Sequence, residues 1–259
     1  SRRRRDRITA RAWCASRRET RGTTPGERMA TTPWYAQVVQ PVLELTEYLG
    51  GAFDPRLCNG DDALVAAEAR HYASPLDFYK HNRVYLYHLT FANMDLWRDP
   101  VYVFILQNST PCMVLDYGCG IGAAGLLLAY YGFLPAFADY QSECLRYLKW
   151  RLLQRKMAYA VYDVEQDEIP RYPLAVALDV LEHVPPQEQT AFLAKLAEKG
   201  ERVIVNLING GAAYGDTGIH YPVDAGALVA WVQDNLKLHV AAEGFNGMCL
   251  MCYGEKERA

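Results

Sequence analysis

The feature that most constrains the fold is a glycine-rich stretch at residues 111–132, PCMVLDYGCGIGAAGLLLAYYG. An apolar run that includes Asp116 is followed at once by closely spaced glycines and then by an apolar helical pattern. That order is typical of a strand, a tight turn and a helix whose N-terminus faces a ligand. The sequence therefore predicts an α/β sheet with a binding loop at the carboxyl end of its first strand.

Two glycine signatures overlap in this loop and favour different ligands. The run from Gly120 to Gly125 spells G-x-G-x-x-G, a fingerprint of dinucleotide binding, whereas the run from Asp116 to Gly122 spells D-x-G-x-G-x-G. A carboxylate about 5 Å from a pyrophosphate would cost roughly 3 kcal/mol at an effective dielectric of about 20. Asp116 therefore favours a ligand that presents a positive charge rather than a phosphate.

The pattern from residue 112 onward is an alternation of short apolar runs and amphipathic stretches, which indicates a mostly parallel sheet wrapped by helices on both faces. Near the end, two extended runs flank Asn246 and Gly247, a strong hairpin signal. We predict an α/β, Rossmann-like, seven-stranded sheet that ends in an antiparallel hairpin. Strands are expected near residues 112–117, 135–139, 158–163, 174–179 and 201–208, and helices near 122–131, 141–155, 188–199 and 224–235.

The segment ahead of the glycine loop, residues 33–109, has apolar residues at helical spacing. Ser74 and Pro75 look like a cap and a first-turn residue, and Pro100 interrupts a long aromatic helical pattern. We therefore expect an N-terminal helical cap. The predicted organisation is a disordered Arg-rich tail at 1–28, a helical cap or substrate region at 29–109 and the ligand-binding sheet domain at 110–259.

Charge is concentrated at one end of the chain. Residues 1–28 carry ten Arg against three acids, a balance of +7, which leaves −10 for the rest of a chain whose net charge is −3. This acidic body argues against a nucleic-acid-binding face on the folded part. The tail is interpreted as an extension upstream of a natural start at Met29, with an Arg-rich transit peptide or a nucleic-acid arm as alternatives.

Apolar runs and cysteines bear on where the protein resides. No apolar run approaches the roughly 20 residues that a membrane-spanning helix needs. The seven cysteines are an odd number, and most of them lie in apolar segments, which favours reduced thiols and a cytoplasmic protein. Cys249 and Cys252 form a C-x-x-C pair without a second metal-binding pair, so no metal site is expected. The sequence does not indicate an oligomeric state.

Several motifs together resemble the class I S-adenosylmethionine-dependent methyltransferases, and more narrowly their ubiquinone-biosynthesis-type small-molecule branch. The resemblance covers about residues 110–253 and is carried by VLDYGCGIG, AFADY, VYDVE, LAVALDVLEHVPP and GIHYPVDAGALVAWV. One departure is Tyr172-Pro173-Leu174, where the family often has Phe-Asp. This departure is expected to shorten the entry to the fourth strand, and it weakens the narrower assignment.

The resemblance implies S-adenosylmethionine as cofactor and a small-molecule acceptor methylated on an O- or N-nucleophile. It assigns the methionine part of the cofactor to Asp116 and the glycine backbone, the ribose hydroxyls to Asp139, and the adenine to Asp163 with Val164. Asp179 either lines the cofactor pocket or caps its own loop. The full set of expected cofactor residues is Asp116, Tyr117, Gly118, Cys119, Gly120, Gly122, Asp139, Tyr140, Asp163, Val164, Asp179 and Val180.

His183 and His220 are the candidate catalytic residues, because imidazole titrates near neutrality and can orient or deprotonate an acceptor hydroxyl. His183 could equally be a core histidine satisfied by backbone groups. The loop at 209–218 could fold over the acceptor or be a plain surface loop. The cap could line the acceptor pocket, or its aromatic residues could serve helix packing alone. On the first interpretation, the candidate substrate contacts are Tyr72, Tyr79, His81 and Tyr85.

Two other functions fit parts of the sequence. An NAD(P)-dependent oxidoreductase would use the G-x-G-x-x-G signature, but Asp116 argues against it. A non-catalytic protein could keep the cofactor pocket and act through partners, with the Arg-rich tail as the contact surface.

Overall fold

A computed structural model describes residues 40–58, 62–92, 99–208, 219–243 and 248–256. The predicted Arg-rich tail, the predicted loop at 209–218 and the predicted hairpin turn at Asn246 and Gly247 lie outside the described residues.

Seven strands among the described residues form one sheet in the order β3-β2-β1-β4-β5-β7-β6. The strands β1 to β5 pair in parallel, while β7 runs antiparallel to both β5 and β6. The prediction of a mostly parallel seven-stranded sheet that ends in an antiparallel hairpin is confirmed. The strand bounds are β1 Met113–Tyr117, β2 Leu134–Asp139, β3 Val161–Asp163, β4 Tyr172–Ala177, β5 Gly200–Leu207, β6 Lys237–Glu243 and β7 Cys249–Gly254.

Helices cover both faces of the sheet, as the register of its central strands shows. Leu115 of β1 packs in one buried cluster with Leu193 and Val232, whereas Phe137 of β2 packs in another with Leu126 and Leu148. Leu115 is in register with Ala136, so Phe137 points to the opposite face. The helix bounds are α1 Gln40–Leu49, α2 Asp62–Ala69, α3 Pro75–His81, α4 Val84–Ala92, α5 Asp99–Asn108, α6 Ala123–Tyr130, α7 Glu143–Gln154, α8 Gln189–Lys199 and α9 Ala225–Asn235.

The strand order fixes where a ligand can bind. Strand β1 lies between β2 and β4. The chain forms β2 and β3 on one side of β1 and then crosses to the other side to form β4 and β5. In open sheets of this kind the crevice for ligands opens at this switch point, outside the carboxyl ends of the strands. The loops after β1, β2, β3 and β4 therefore surround the candidate site.

Two strand boundaries differ from the prediction. β4 begins at Tyr172 rather than at 174, so the departure at Tyr172-Pro173-Leu174 does not shorten the entry to this strand. Pro173 is tolerated because the register pairs residue 172 and residue 174 with β5 and leaves the proline outside the ladder. β3 begins at Val161 rather than at 158, because the Met157 N–H still donates to Leu152 O at the end of α7.

The helical segment contains a break that the sequence pattern did not reveal. The Asn82 backbone is extended, and Oδ1 of Asn82 accepts the N–H groups of Val84 at 2.6 Å and Tyr85 at 3.3 Å. This side chain ends α3 and caps α4, so the aromatic segment folds as two short helices. None of the helices within the described ranges is long and apolar enough to cross a lipid bilayer.

The helical segment is attached to the sheet by a buried ion pair. Arg151 of α7 donates through Nε to Glu44 of α1 at 2.8 Å and through Nη1 to Ile121 O, in the glycine loop, at 2.7 Å. Arg155 donates to the same carboxylate at 2.7 Å. Burial acts to raise the pKa of Glu44, but the hydrogen bonds and charges of Arg155 and Arg151 outweigh it and lower that pKa. The position of α1 is thus linked to the glycine loop.

Candidate functional site

The turn after β1 has a backbone that only glycine adopts without strain. The φ angles of Gly118, Gly120 and Gly122 are 74°, 52° and 75°, which lie in the left-handed region. A Cβ at Gly118 would lie 2.6 Å from Val180 Cγ2, and a Cβ at Gly122 would lie 2.4 Å from Leu148 Cδ1. Val180 and Leu148 therefore pack tightly against the loop, and its sequence is restricted both by the backbone angles and by the space available for a side chain.

Asp139, at the end of β2, holds this loop. Its Oδ2 accepts the Gly120 N–H at 2.6 Å and its Oδ1 accepts the Tyr140 N–H at 2.7 Å. Burial raises the pKa of the Asp139 carboxyl to about 6, although both N–H groups act to lower it. A carboxylate oxygen can accept more than one hydrogen bond, so Asp139 retains capacity for hydroxyl donors.

Aspartates mark the carboxyl ends of four neighbouring parallel strands. Asp116, Asp139 and Asp163 lie at the ends of β1, β2 and β3, and Asp179 follows β4. Asp139 and Asp163 are register partners on adjacent strands. These carboxylates give one edge of the sheet a concentration of negative charge, which favours a cationic ligand and opposes a phosphate.

Three of these aspartates also stabilise the local backbone. Oδ2 of the buried Asp116 accepts the Gly125 N–H in the first turn of α6 at 2.8 Å. Oδ1 of Asp163 accepts the Glu165 N–H at 3.0 Å. The Asp179 N–H donates to Asn206 Oδ1 at 2.7 Å, and Asp179 has a left-handed φ of 56°. Both alternatives for Asp179 remain compatible with this geometry, because its turn lies beside the strand ends.

A second group of polar side chains lies under the helical segment. Tyr79 Oη is 2.6 Å from His183 Nδ1 and 2.7 Å from Ile219 O. The ring of His220 is centred 4.9 Å from that of His183. Burial, with charge effects from His220 and His88, lowers the pKa of His183 to about 3, while the Ile219 carbonyl acts in the opposite direction. His183 is therefore neutral at physiological pH.

The helix α4 connects this histidine group to the glycine loop. Tyr85 packs against Tyr79 with ring centroids 4.7 Å apart and stacks on His88 at 6.1 Å. A Cβ at Gly120 would lie 3.1 Å from Leu89 Cδ1, so α4 covers the loop directly. Sequence reasoning missed His88 and Leu89, although their spacing from Tyr85 places all three on one helix face.

Not all of the expected substrate and cofactor residues meet at the site. His81 is exposed, and its Nδ1 is 2.9 Å from Asp77 Oδ1 on its own helix. Tyr72 Oη accepts a hydrogen bond from Asn82 Nδ2 at 3.2 Å, within the cap. The Tyr117 ring packs edge-on against Phe192 of α8 at a centroid distance of 5.7 Å, within the buried core.

The remaining expected cofactor residues lie on the loops that follow the parallel strands. The Cys119 N–H donates to Ala138 O at 3.2 Å, and the Val164 N–H donates to Asp139 O at 3.0 Å. Lys80 Nζ lies 4.8 Å from the centre of the Tyr140 ring and donates to Glu165 Oε1 at 2.7 Å. Helix α3 therefore contacts the loops that follow β2 and β3.

Comparisons with known proteins agree with the sheet topology. No protein-family model and no curated protein matches the chain. Magnesium protoporphyrin IX methyltransferase from Synechocystis PCC 6803, solved with bound S-adenosylmethionine, aligns with a TM-score of 0.51 and 17% identity over 76% of this chain and 98% of that chain. The chain shares the Rossmann-like α/β fold of this methyltransferase.

Two further solved structures have the same fold. An S-adenosylmethionine-dependent methyltransferase from Clostridium acetobutylicum aligns with a TM-score of 0.51 and 8% identity over 62% of this chain and 91% of that chain. The glycopeptide N-methyltransferase MtfA, complexed with S-adenosylmethionine, gives 0.50 and 10% over 63% of this chain and 88% of that chain. At sequence identities this low, structural similarity establishes the fold alone. An assignment of function has to rest on the residues of the site.

Proposed function

We propose that this protein is an S-adenosylmethionine-dependent methyltransferase that acts on an oxygen or nitrogen atom of a small-molecule acceptor. The observation that carries the proposal is the row of aspartates at the carboxyl ends of β1 to β4, around a tight glycine loop. S-adenosylmethionine presents a sulfonium and an ammonium and no phosphate. The negative edge therefore favours this cofactor, whereas it opposes the pyrophosphate of a dinucleotide.

The residues present fit that cofactor. Asp139 has hydrogen-bonding capacity left for ribose hydroxyls, and the left-handed glycines leave room for close approach to the backbone. Asp163 and Val164 are the proposed adenine contacts, since they follow the strand next to β2. Asp116 is proposed to act through its charge near the methionine part, because one of its oxygens is occupied by the Gly125 N–H. When bound, the cofactor supplies an electrophilic methyl group.

The acceptor is proposed to bind between the sheet edge and the helical segment. Tyr79, Tyr85, His183 and His220 form the aromatic and polar wall of this zone. Methyl transfer is an in-line displacement, so the protein contributes mainly by aligning the acceptor and excluding water. The helices within 29–109 are therefore assigned the role of a substrate region.

Narrower assignments rest on further observations. The Leu181-Glu182-His183 turn after β4 supports the ubiquinone-biosynthesis-type branch, because it belongs to LAVALDVLEHVPP, one of the motifs that carry the resemblance. The names of two similar structures refer to a porphyrin and a glycopeptide, which is compatible with a metabolite acceptor. A cytoplasmic location is supported by the cysteines in the described ranges, all six of which are free thiols.

Turnover with S-adenosylmethionine tests the proposal. The protein would be incubated with the cofactor and a panel of hydroxyl- and amine-bearing metabolites, and S-adenosylhomocysteine release would be followed together with a one-methylene mass gain of an acceptor. We expect release with at least one acceptor class and none without acceptor. Cofactor binding with no turnover across the panel would instead support the non-catalytic alternative. The matched control is Asp139→Asn, which should lose turnover together with cofactor binding.

A further inference from the structure

The Tyr79 hydroxyl lies between two hydrogen-bonding atoms. Its oxygen is 2.6 Å from His183 Nδ1 and 2.7 Å from the Ile219 carbonyl oxygen, and His183 Nδ1 is itself 3.4 Å from that carbonyl. A hydroxyl has one proton, and a carbonyl oxygen can only accept. These distances therefore determine which atom carries each proton.

Only one assignment makes both short contacts of Tyr79 attractive. If Tyr79 donated to His183 Nδ1, two oxygen atoms would face each other at 2.7 Å with no proton between them. Tyr79 therefore donates to Ile219 O, and His183 donates its Nδ1–H to the Tyr79 oxygen. In the neutral ring the lone pair is then on Nε2, because a neutral imidazole has one donor and one acceptor nitrogen.

The surroundings keep this imidazole neutral and near the cofactor loop. Titratable groups face the pair formed by Tyr79 and His183 from three segments: Tyr85 and His88 on α4, His220 and Tyr221 ahead of α9, and Glu182 on the turn of His183 itself. Three residues before His183, the Val180 side chain packs on Gly118. The histidine thus lies next to the segment that contacts the glycine loop.

We propose that Tyr79 is a positioning residue that holds His183 in its Nδ1–H tautomer, so that His183 Nε2 accepts the hydrogen bond of an acceptor O–H or N–H. This inference rests on the proposed function and reassigns Tyr79 from substrate contact to orientation of His183. The acceptor class that follows is a protic nucleophile, a hydroxyl or an amine with at least one hydrogen.

The order of bond changes follows from the weak basicity of His183. The acceptor atom bonds to the methyl carbon, the carbon–sulfur electron pair remains on sulfur, and the proton of a hydroxyl acceptor passes to Nε2 and then to water. An imidazole with a pKa of about 3 does not deprotonate a neutral hydroxyl or amine in advance. With a hydroxyl acceptor, it can accept a proton from the strongly acidic oxonium ion that methylation creates, so transfer of the proton accompanies or follows transfer of the methyl group. With an amine acceptor the product is a weakly acidic ammonium ion that releases its proton to water, and Nε2 only orients the N–H.

The test is nitrogen NMR of full-length protein labelled in its histidine rings, with and without S-adenosylhomocysteine. We expect His183 in the Nδ1–H tautomer in the wild type, and a mixture of the two tautomers in Tyr79→Phe. Tyr253→Phe is the matched control, because it removes a buried hydroxyl that donates to Leu193 O at 3.1 Å, in another part of the protein. An Nε2–H tautomer in the wild type, or no change in Tyr79→Phe, would overturn the inference.

The acceptor half of the inference is tested with two small probes added to the S-adenosylhomocysteine complex. Phenol carries an O–H donor, and anisole has nearly the same shape without one. Phenol should shift the His183 Nε2 resonance in the direction of hydrogen bonding, and anisole should not. Equal responses, or none to phenol, would contradict this half. Because the tautomer is measured without turnover, a failed methyltransferase assay would not be mistaken for failure of the inference.

Discussion

The Asp139 carboxylate oxygen Oδ2 lies 2.6 Å from the Gly120 amide nitrogen, so the end of β2 holds the loop that follows β1. The same carboxyl has its pKa raised to about 6, chiefly by burial. Loop geometry and ligand affinity should therefore depend on one titrating group in an experimentally accessible pH range.

Binding of S-adenosylhomocysteine should weaken as the pH falls below about 6. Protonated Asp139 is a poorer acceptor for hydroxyls, so the affinity should fall by up to about tenfold per pH unit below its pKa. Calorimetric titrations between about pH 5 and 8 would show this loss as a bend in the plot of log affinity against pH. Asp139→Asn should bind weakly at every pH in that range, and a bend that persists in this variant would assign it to another group.

Acid should destabilise the fold through His183. The pKa of this residue in the folded state is about 3, below its ordinary value of 6.5, so the unfolded chain binds a proton that the folded chain excludes. The free energy of unfolding is therefore at its full value above pH 6.5 and decreases as the pH falls towards 3, with about 2 kcal/mol lost by pH 5. Urea unfolding at pH 7 and pH 5 should show a smaller acid loss for His183→Gln; equal losses would contradict this.

Removing Arg151 should destabilise the protein strongly. Arg151→Met would leave Glu44 buried with one fewer partner and would free the Ile121 carbonyl, and breaking a buried pair costs about 3–5 kcal/mol. The control is Arg146→Gln on the same helix, where a half-exposed arginine pairs with Glu143 and should contribute less than about 1 kcal/mol. Urea unfolding would compare the two, and similar costs would refute the role of the buried pair.

Gly122→Ala should damage the loop, whereas Gly226→Ala should be tolerated. At Gly122 a Cβ would lie 2.4 Å from Leu148 Cδ1 on a left-handed backbone, which should cost about 1–3 kcal/mol. At Gly226, in the first turn of α9, the nearest atom is Asp224 Oδ1 at 3.5 Å, so alanine should be neutral or slightly stabilising. Thermal unfolding of both variants checks this, and a stable Gly122→Ala protein would contradict the loop packing.

Local patterns were sufficient to predict the sheet and the position of Asp139 at its carboxyl edge. Alternating apolar runs predicted the parallel core, and the predicted second strand ended at Asp139, where the observed strand also ends. The hydrogen bond from the Gly120 N–H to Asp139 was not predicted. Both predicted features depend on residues close in sequence or on a regular strand order. The start of β4 at Tyr172 was missed, because its proline is tolerated only by the pairing with β5.

The acceptor side was less predictable because it depends on tertiary packing. The contact between Tyr79 and His183 joins residues 104 positions apart, and the ion pair between Lys80 and Glu165 joins residues 85 apart. No local pattern encodes such distances. The break at Asn82 places Tyr79 and Tyr85 on two separate helices, where their rings pack against each other, while His81 at the end of α3 is exposed.

Isothermal titration calorimetry with S-adenosylhomocysteine is the most direct test of the central claim, with S-adenosylmethionine and NADH as parallel ligands. The acidic strand ends predict saturable binding of both sulfur ligands, strong weakening by Gly120→Val, and no binding of NADH. Absence of heat with both sulfur ligands, together with clear binding of NADH, would contradict the account and favour an oxidoreductase.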